Sequence, residues 1–454
     1  MRKYESYKPI EELWLTQIPA SWEDIKIKFL FSERSEKGYP DEPLLVASQN
    51  MGVVPKGVYG NRTVEATKDL HLLKLVKVGD FVISLRSFQG GIEYAYYQGI
   101  ISPAYTIMVP KIMVPKPKIE SGYFRYLAKS RLFIELLQLC VTGIREGQNI
   151  DYGKLKNHLI PVPPHEEQNQ IISYLDWQTS KINQLIDAKK RQIQVLREYA
   201  LSACNELLTR GINPNVTFQP TGSNWMGEIP VHWKISKIAK HFTIKKRIAG
   251  KEGYDVLSIT QQGLKVKDIS TNEGQMAANY SGYQFVYPGD FAMNHMDLLT
   301  GYIDISKHFG VTSPDYRVFV LDDTKNCYPE YYLQLFQLCY KRKIFYGYGR
   351  GAANQGRWRM PAVNFRNFEI PLPPYEEQKI ISAKIQEINA RIESACSKLE
   401  SEISTLSEMK TRLISDVVTG QIDVRSIEVP DFKLVEEMAD EDDIDGDINV
   451  EEEV

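Results

Sequence analysis

The most constraining feature of this sequence is a long-range internal repeat. The segment LIPVPPHEEQNQII (residues 159–172) returns 210 residues later as EIPLPPYEEQKIIS (residues 369–382). Four further pairs follow in the same order at offsets of 210 or 211 residues: WLTQIPASW with WMGEIPVHW, VGDFVIS with PGDFAMN, ISPAYTIMV with TSPDYRVFV, and LLTRGIN with VVTGQID. Because self-similarity at a fixed period indicates a repeat architecture, we predict two copies of one unit of about 210 residues.

Each copy ends in a segment that predicts a long helix. Residues 166–208 and 376–418 contain neither proline nor glycine, and each follows a proline cluster that suits a helix start. Both begin with glutamates, which the helix dipole favours in the first turn. Apolar residues recur at alternating threes and fours, the period of a coiled-coil seam. We expect two helices of about 65 Å that pack against each other. The alternative is that each helix packs only on its own globule.

The remainder of each copy predicts a mixed globule. Segments such as KLVKVGDFVIS and ISPAYTIMVP are typical of strands, and residues 122–139 and 329–345 predict helices. The predicted fold class is α+β: two similar α/β globules separated by two long helices that form an antiparallel coiled coil, with a pseudo-twofold internal repeat. The predicted boundaries are 1–158 and 213–368 for the globules, 159–212 and 369–427 for the helices, and 428–454 for a tail.

Charge is distributed unevenly along the chain. The formal net charge is −3, but residues 428–454 carry thirteen acidic residues and one lysine, which leaves +9 on residues 1–427. A basic body suits an anionic partner, and so acidic a tail is predicted to be disordered. No window approaches the roughly 18 apolar residues of a membrane span, and the N-terminus lacks a signal peptide. We therefore expect a cytoplasmic protein with no membrane partner.

The sequence predicts no catalytic, cofactor-binding or metal-binding residue. It contains no G-x-x-x-x-G-K-[ST] and no G-x-G-x-x-G at a helix start, and its five cysteines and seven histidines show no metal-ligand spacing. PLPPY (residues 371–375) faintly resembles a methyltransferase loop, but we interpret it as the lead-in to a helix.

Segments that mix basic and amide residues predict nucleic-acid contacts in both globules. Arginine can read guanine, and asparagine or glutamine can read adenine, through paired hydrogen bonds. A solvated polar loop is the alternative for any single residue. The predicted DNA-binding residues are Arg86, Ser87, Gln89, Arg145, Gln148, Asn149, Lys154, Gln261, Gln262, Lys265, Lys267, Asn294, His295, Arg350, Asn354, Gln355, Arg357 and Arg359.

Three repeated motifs carry a family resemblance. They are I-P-x-x-W (residues 18–22 and 229–233), G-D-F (79–81 and 289–291) and I-P-x-P-P-x-E-E-Q (160–168 and 370–378). A T-G-x-I-D-like helix exit is clear at 419–423 and altered at 209–213. Over about residues 10–427 the chain resembles the specificity subunits of type I restriction–modification systems. The acidic tail lies outside this pattern.

The resemblance implies a division of labour. Each globule would be a target recognition domain that reads one half of a gapped, asymmetric double-stranded DNA site. The helices would space the two halves and dock two methyltransferase subunits, and two restriction subunits would join the complex. S-adenosylmethionine, ATP and Mg²⁺ would belong to those partners, which supply adenine methyltransferase and ATP-dependent endonuclease activity, so this chain would have no cofactor and no catalysis. The rival hypotheses are a coiled-coil adaptor that assembles proteins without reading DNA, and an enzyme in its own right.

Overall fold

The structure is a computed structural model that describes residues 2–49, 51–59, 69–111, 119–143, 149–268, 279–351 and 358–435. The chain forms two compact units: unit 1 comprises Met1–Arg191 and Leu399–Val454, and unit 2 comprises Gln192–Lys398. Each unit thus contains one globule and one half of each long helix. A structural unit therefore differs from a sequence repeat. Each unit includes one half of the long helix that belongs, in sequence, to the other repeat.

Both long helices are confirmed. The first spans His165–Arg210 and the second spans Tyr375–Val418, and each has two glutamates in its first turn. Within unit 1, Lys410 Nζ donates to Asn183 Oδ1 at 3.2 Å and Lys189 pairs with Glu402. The partner number falls as the residue number rises, so the helix halves pack antiparallel.

Unit 2 contains the other halves of the same two helices. Cys204 Sγ lies 3.7 Å from Asn389 Oδ1, and Gly211, one residue beyond the first helix, lies beside the Glu377 carboxylate in the first turn of the second helix. The direction of pairing is again antiparallel, as the predicted fold class states; the seam pattern alone predicts only that the helices pack against each other.

A four-stranded antiparallel sheet forms the centre of each globule, and the two sheets share one topology. Phe81 pairs with Met108 in unit 1, and Phe291 pairs with Phe319 in unit 2, so the register is shared as well. The strand order is Phe31–Arg34, Thr106–Pro110, Phe81–Ile83 and Glu93–Tyr94 in unit 1, and Phe242–Lys245, Arg317–Leu321, Phe291–Met293 and Ile303–Ile305 in unit 2.

The smaller elements surround these sheets as two-stranded pairs and short helices. In unit 1 the strands are Tyr7–Pro9, Gln17–Pro19, Glu23–Lys26, Leu45–Ser48, Gly52–Pro55, Lys74–Val76, Gly99–Ile101, Val141–Thr142, Asn149–Ile150 and Leu159–Val162, and the helices are Ile27–Leu30, Lys56–Tyr59, Leu70–Leu72, Ser87–Gly90, Ser121–Ala128, Arg131–Leu139 and Tyr152–Leu155. In unit 2 the strands are Phe218–Pro220, Glu228–Pro230, Lys234–Lys237, Leu257–Thr260, Gly263–Val266, Gln284–Val286, Gly310–Thr312 and Glu369–Leu372, and the helices are Ile238–Lys240, Pro329–Lys341, Phe345–Tyr348 and Ala362–Asn367.

The helix predicted over residues 122–139 is wrong in one respect, because the structure divides it into Ser121–Ala128 and Arg131–Leu139. Ser130 causes the break: its hydroxyl donates to the Leu127 carbonyl and accepts from the Phe133 N–H, which caps the second helix. The corresponding helix of unit 2, Pro329–Lys341, runs without interruption and begins with a proline at its first position.

The end of each long helix is built into a hydrophobic core. Val417 and Val418 are fully buried in the core of unit 1, and Leu208 is fully buried in the core of unit 2. The Tyr123 hydroxyl donates to the Val418 carbonyl at 2.8 Å, and the Tyr331 hydroxyl donates to the Leu208 carbonyl at 3.0 Å. These bonds satisfy carbonyls that the helix itself leaves unpaired.

Beyond the second helix the chain stays in contact with unit 1. The Asp423 N–H donates to the Arg2 carbonyl at 2.9 Å, and Gln170 donates to the carbonyls of Val424 and Ile427. Val435 accepts a hydrogen bond from Asn183 and donates one to Ser180. The described part of the predicted tail, up to residue 435, therefore lies along the first long helix.

Candidate nucleic-acid interface

The repeated glutamates fasten each globule to the start of a helix. In unit 1, Glu167 Oε1 accepts the Trp22 indole N–H at 2.9 Å and the Tyr4 hydroxyl at 2.5 Å. In unit 2, Glu377 Oε2 accepts the Trp233 indole N–H at 3.0 Å and lies 2.9 Å from His232 Nε2. The tryptophan of I-P-x-x-W and the second glutamate of E-E-Q are thus partners, which explains why both motifs repeat together.

The glutamine after each glutamate pair tightens the same junction. Gln168 Nε2 donates to the Pro163 carbonyl, and Gln378 Nε2 donates to the Pro373 carbonyl, both at 2.8 Å. Gln378 also accepts from the Tyr328 N–H at 2.7 Å. The repeated proline segment is therefore a structural junction, as the sequence predicts.

The G-D-F motif builds a turn before a central strand. Asp80 accepts the Lys77 N–H at 2.7 Å and pairs with Arg34, and Asp290 accepts the Tyr287 N–H at 3.0 Å and pairs with Arg247 at 2.9 Å. The glycine before each aspartate has a φ of about +90°, which favours glycine. Burial raises the pKa of Asp80, although the Lys77 N–H and Arg34 act in the opposite direction.

The two copies diverge directly after the strands that these turns introduce. In unit 1 the strand Phe81–Ile83 leads into the helix Ser87–Gly90, with Arg86 and Gln89 both exposed. Ser87 is buried, and its hydroxyl accepts the Ser84 N–H at 2.8 Å, so this side chain shapes the turn.

A hairpin tip lies against this segment of unit 1. The tip residue Gln49 is exposed, and a Cβ at Gly90 would lie 2.5 Å from its Cδ. Lys129 joins the two: its Nζ donates to the carbonyls of Gln49 and Gly90 at 2.9 and 3.0 Å and to the buried Glu93 carboxylate at 2.6 Å. Gln49 therefore belongs to the same surface as Arg86 and Gln89.

Two other predicted residues of unit 1 lie on neighbouring elements. Asn149 is exposed on the strand Asn149–Ile150, which lies beside the helix Ser87–Gly90. Lys154 is exposed one element further on, in the helix Tyr152–Leu155 that Asp151 caps. Arg145 and Gln148 lie outside the described residues.

In unit 2 the equivalent hairpin tip carries Gln261 and Gln262, both exposed. Gln261 Nε2 donates to the Thr300 carbonyl at 3.4 Å, and Lys265 Nζ donates to Gln262 Oε1 at 2.5 Å. The hairpin thus meets residues 294–301, which follow the strand Phe291–Met293. Lys267 is half-buried at the far end of the second hairpin strand and is not brought to this tip.

A second segment braces residues 294–301 from the opposite side. Met360 N–H donates to the His295 carbonyl at 3.0 Å, and Leu298 N–H donates to the Trp358 carbonyl at 3.2 Å. Arg350 and Arg359 are exposed and paired through their backbones at 2.8 and 3.1 Å. Asn294, His295 and Arg359 therefore come together, whereas Asn354, Gln355 and Arg357 lie outside the described residues.

Sequence reasoning missed Gln49 and Lys129. Gln49 could have been found, because VASQNMG (residues 46–52) aligns with SITQQG (residues 258–263) and places an amide at both hairpin tips. Lys129 carries no local signal, since its role depends on carbonyls that are 39 and 80 residues away in the chain.

His295 is the most perturbed group on this surface. Burial, followed by the positive charges of Arg317 and Arg359, lowers the pKa of His295 to about 3. The imidazole is therefore neutral near pH 7.

Within the described ranges, one group of three potential metal ligands comes together in unit 2. His241, Asp323 and Cys327 each place one ligand atom within 4.8 Å of the others. Both ring nitrogens of His241 already lie 2.8 Å from other partners, Asp323 Oδ2 and Ser236 Oγ. The set is also one ligand short of a closed zinc site, so the absence of a metal site stays a prediction.

Comparison with known proteins places this architecture in a class. The family model described as "Type I restriction modification DNA specificity domain" matches residues 232–404. A chain from a structure entitled "Structural basis underlying complex assembly and conformational transition of the type I R-M system" has a TM-score of 0.60 at 13% identity, covering 89% of this chain and 99% of that one. The two chains therefore share a fold.

Two curated relatives from Methanocaldococcus jannaschii narrow the assignment. The putative type I restriction enzyme MjaX specificity subunit is 24% identical, with 93% of this chain and 98% of the relative covered. The type I restriction enzyme MjaVIII specificity subunit is 22% identical, with 94% and 98% covered. Over nearly its whole length the chain is therefore similar to type I restriction enzyme specificity subunits. Among the helices of the described segments, none has the length and apolar character to cross a membrane.

Proposed function

We propose that this chain is the DNA-reading, non-catalytic subunit of a type I restriction–modification complex, with each globule reading one half of a gapped, asymmetric target. The observation that carries this proposal is the equivalent placement of amide-bearing hairpin tips, Gln49 in unit 1 and Gln261–Gln262 in unit 2, beside divergent segments of otherwise similar globules. Bidentate amide and guanidinium contacts supply base discrimination of about 1–3 kcal/mol per pair.

The proposal assigns affinity to other side chains. Exposed Arg86 and Lys154 in unit 1, and Lys265 and Arg350 in unit 2, would contact phosphates and supply a salt-dependent, sequence-independent contribution. The predicted contacts Arg145, Gln148, Asn354, Gln355 and Arg357 remain part of this proposal on sequence grounds.

The helices would act as the spacer and as the docking element for two methyltransferase subunits, and two restriction subunits would complete the complex. Support comes from the junctions, because Glu167 and Glu377 hold equivalent helix starts on globules whose segments after the central strand differ. S-adenosylmethionine, ATP and Mg²⁺ would then be bound by the partners.

Domain exchange tests this proposal. The chain is co-expressed with its adenine methyltransferase, and methylated adenines are mapped across a genome. We expect a gapped, asymmetric motif. Replacing residues 1–158 with the corresponding domain of a relative should change one half of the motif, and replacing residues 213–368 should change only the other half. A contiguous motif, or changes in both halves from one exchange, would refute the proposal.

A further inference from the structure

Unit 2 contains a buried arginine at a position where unit 1 has a threonine. Arg317 lies on the strand Arg317–Leu321 opposite Met293, and only 5% of its surface is exposed. The equivalent residue of unit 1, opposite Ile83, is Thr106. Removing a guanidinium from water costs several kcal/mol unless partners compensate it, so the surroundings of Arg317 need an explanation.

The partners of Arg317 compensate only part of the cost of removing its guanidinium from water. Its Nη2 donates to the Met360 carbonyl at 2.8 Å, and the guanidinium lies 4.8 Å from the centre of the Phe365 ring. In the described part of the chain, its buried Nη1 has no hydrogen-bond partner. Burial lowers the pKa of Arg317 to about 10; of the side chains that also act on this pKa, Tyr340 raises it and Arg366 lowers it, and neither is a carboxylate.

Other cationic or hydrogen-bond-donating groups lie near the Arg317 guanidinium. His295 lies next to Arg317 through Met360, whose N–H donates to the His295 carbonyl. His295 Nδ1 is also buried without a partner among the described residues, and Arg359 adjoins Met360 in the chain. Asp297 is the acidic residue of this loop, and its carboxylate is engaged by the N–H groups of Leu299 and Thr300.

Resting on the proposed function, we propose that Arg317, His295 and Arg359 form an anion site in the second globule that binds one backbone phosphate of the half-site read by that globule. A phosphodiester supplies the negative charge and the acceptor oxygens that these groups lack, and arginine matches phosphate geometry through two hydrogen bonds. DNA is the source that the position favours, because the cluster includes His295 and Arg359 and lies beside Asn294, which are all predicted DNA contacts.

The site makes the two globules unequal in how they hold DNA. The first globule has Leu85 and Thr106 where the second has His295 and Arg317. The second half-site should therefore contribute one more buried, low-dielectric phosphate contact than the first.

Salt dependence of DNA binding tests the site. The full chain, in complex with its methyltransferase, is titrated with a duplex that carries the mapped target at several salt concentrations. Arg317→Met should weaken binding about tenfold and lower the slope of log K against log salt by about one, with both halves of the methylated motif unchanged. The control Lys237→Met, at an exposed lysine on the strand Lys234–Lys237, should change neither. A folded Arg317→Met variant with the wild-type slope would overturn the inference.

A second measurement does not depend on the stability of the variant. Neutral methylphosphonate linkages are placed singly along the half-site read by the second globule, and wild-type binding is measured. One position should lose affinity about tenfold, and Arg317→Thr should lose nothing further at that position. Uniform small losses at every linkage would refute the site. If the unmodified target is not bound at all, the proposed function fails instead, so the two failures are distinguishable.

Discussion

The two units share their central sheet and their helix junction, and they differ in the segments that follow the central strand. Their central sheets share topology and register, and Glu167 and Glu377 make equivalent bonds to a tryptophan. Directly after the central strand, unit 1 has a buried serine in a short helix, and unit 2 has a neutral, half-buried histidine whose Nδ1 is buried. The comparison teaches that packing constrains the strands and junctions, whereas the segments beyond the strand ends are free to vary.

The largest expected effect concerns the helix junctions. Glu167→Ala leaves the buried Trp22 N–H and Tyr4 hydroxyl unpaired, so we expect it to lower the free energy of unfolding by about 2–5 kcal/mol. Glu377→Ala should cost less, about 1–3 kcal/mol, because the His232 side chain is 42% exposed and water can replace the lost partner. Urea denaturation followed by circular dichroism measures both, with exposed Glu166→Ala as the control. Equal losses at both junctions would contradict this difference.

The next effect concerns base discrimination. Gln49→Ala should relax sequence choice only in the half-site read by the first globule, and Gln261→Ala only in the other half, each by about 1–3 kcal/mol of discrimination. Competition binding with duplexes substituted in one half at a time measures this. Relaxation of both halves by either variant would show that the hairpin tips do not read bases separately.

A smaller effect is expected at the helix ends. Tyr123→Phe removes the hydroxyl that serves both the Val418 and Pro161 carbonyls, and Tyr331→Phe removes the one that serves the Leu208 carbonyl. Each should cost about 0.5–1.5 kcal/mol, with the larger loss in unit 1. Thermal denaturation measures it, and Tyr97→Phe, at an exposed tyrosine, should have no effect.

The last difference between the units is a pH dependence that His295 gives to unit 2. The pKa of His295 is about 3 in the folded chain, below the ordinary value of 6.5, so the unfolded chain binds the proton first as the pH falls. The contribution of His295 to stability is thus complete above pH 6.5 and declines between pH 6.5 and 3. His295→Leu, which copies Leu85 of unit 1, should lose less stability between pH 7.5 and 5 than the wild type. An identical loss in both would refute this role.

The sequence predicted the long helices more closely than it predicted the candidate nucleic-acid interface. Proline, glutamate and seam patterns located both long helices to within one residue at their starts, because these signals are local. The pattern over residues 122–139 predicted one helix, since the capping role of Ser130 depends on a turn geometry that composition does not reveal. The helix ends contacted by Tyr123 and Tyr331 come from the other copy and could not be assigned from spacing.

The residues of the candidate site were harder to identify from the sequence, because their roles depend on burial and on contacts with residues far away in the chain. Arg86 and Gln261 are exposed, as a DNA contact requires, and their contact with DNA stays a prediction, whereas Ser87 has its hydroxyl engaged inside the turn. Arg317 was missed because it sits in TSPDYRVFV, where a strand pattern gives no reason to expect a buried cation. Lys129 was missed because its acceptors are carbonyls on two distant loops.

The contact between Asp423 and Arg2 has a consequence for chain order. In unit 2 the helix exit continues covalently through residues 211–217 into the strand Phe218–Pro220. In unit 1 the exit of the second helix instead meets the N-terminal segment, where the Asp423 N–H donates to the Arg2 carbonyl and the Tyr7 hydroxyl donates to the Gly420 carbonyl at 3.1 Å. In unit 2 the peptide chain itself joins the helix exit to the next strand. In unit 1 hydrogen bonds hold the equivalent two segments together. Joining residues 2 and 423 and cutting near residue 213 would exchange the two kinds of junction, with loss of the contacts that Val424, Ile427 and Val435 make with the first long helix.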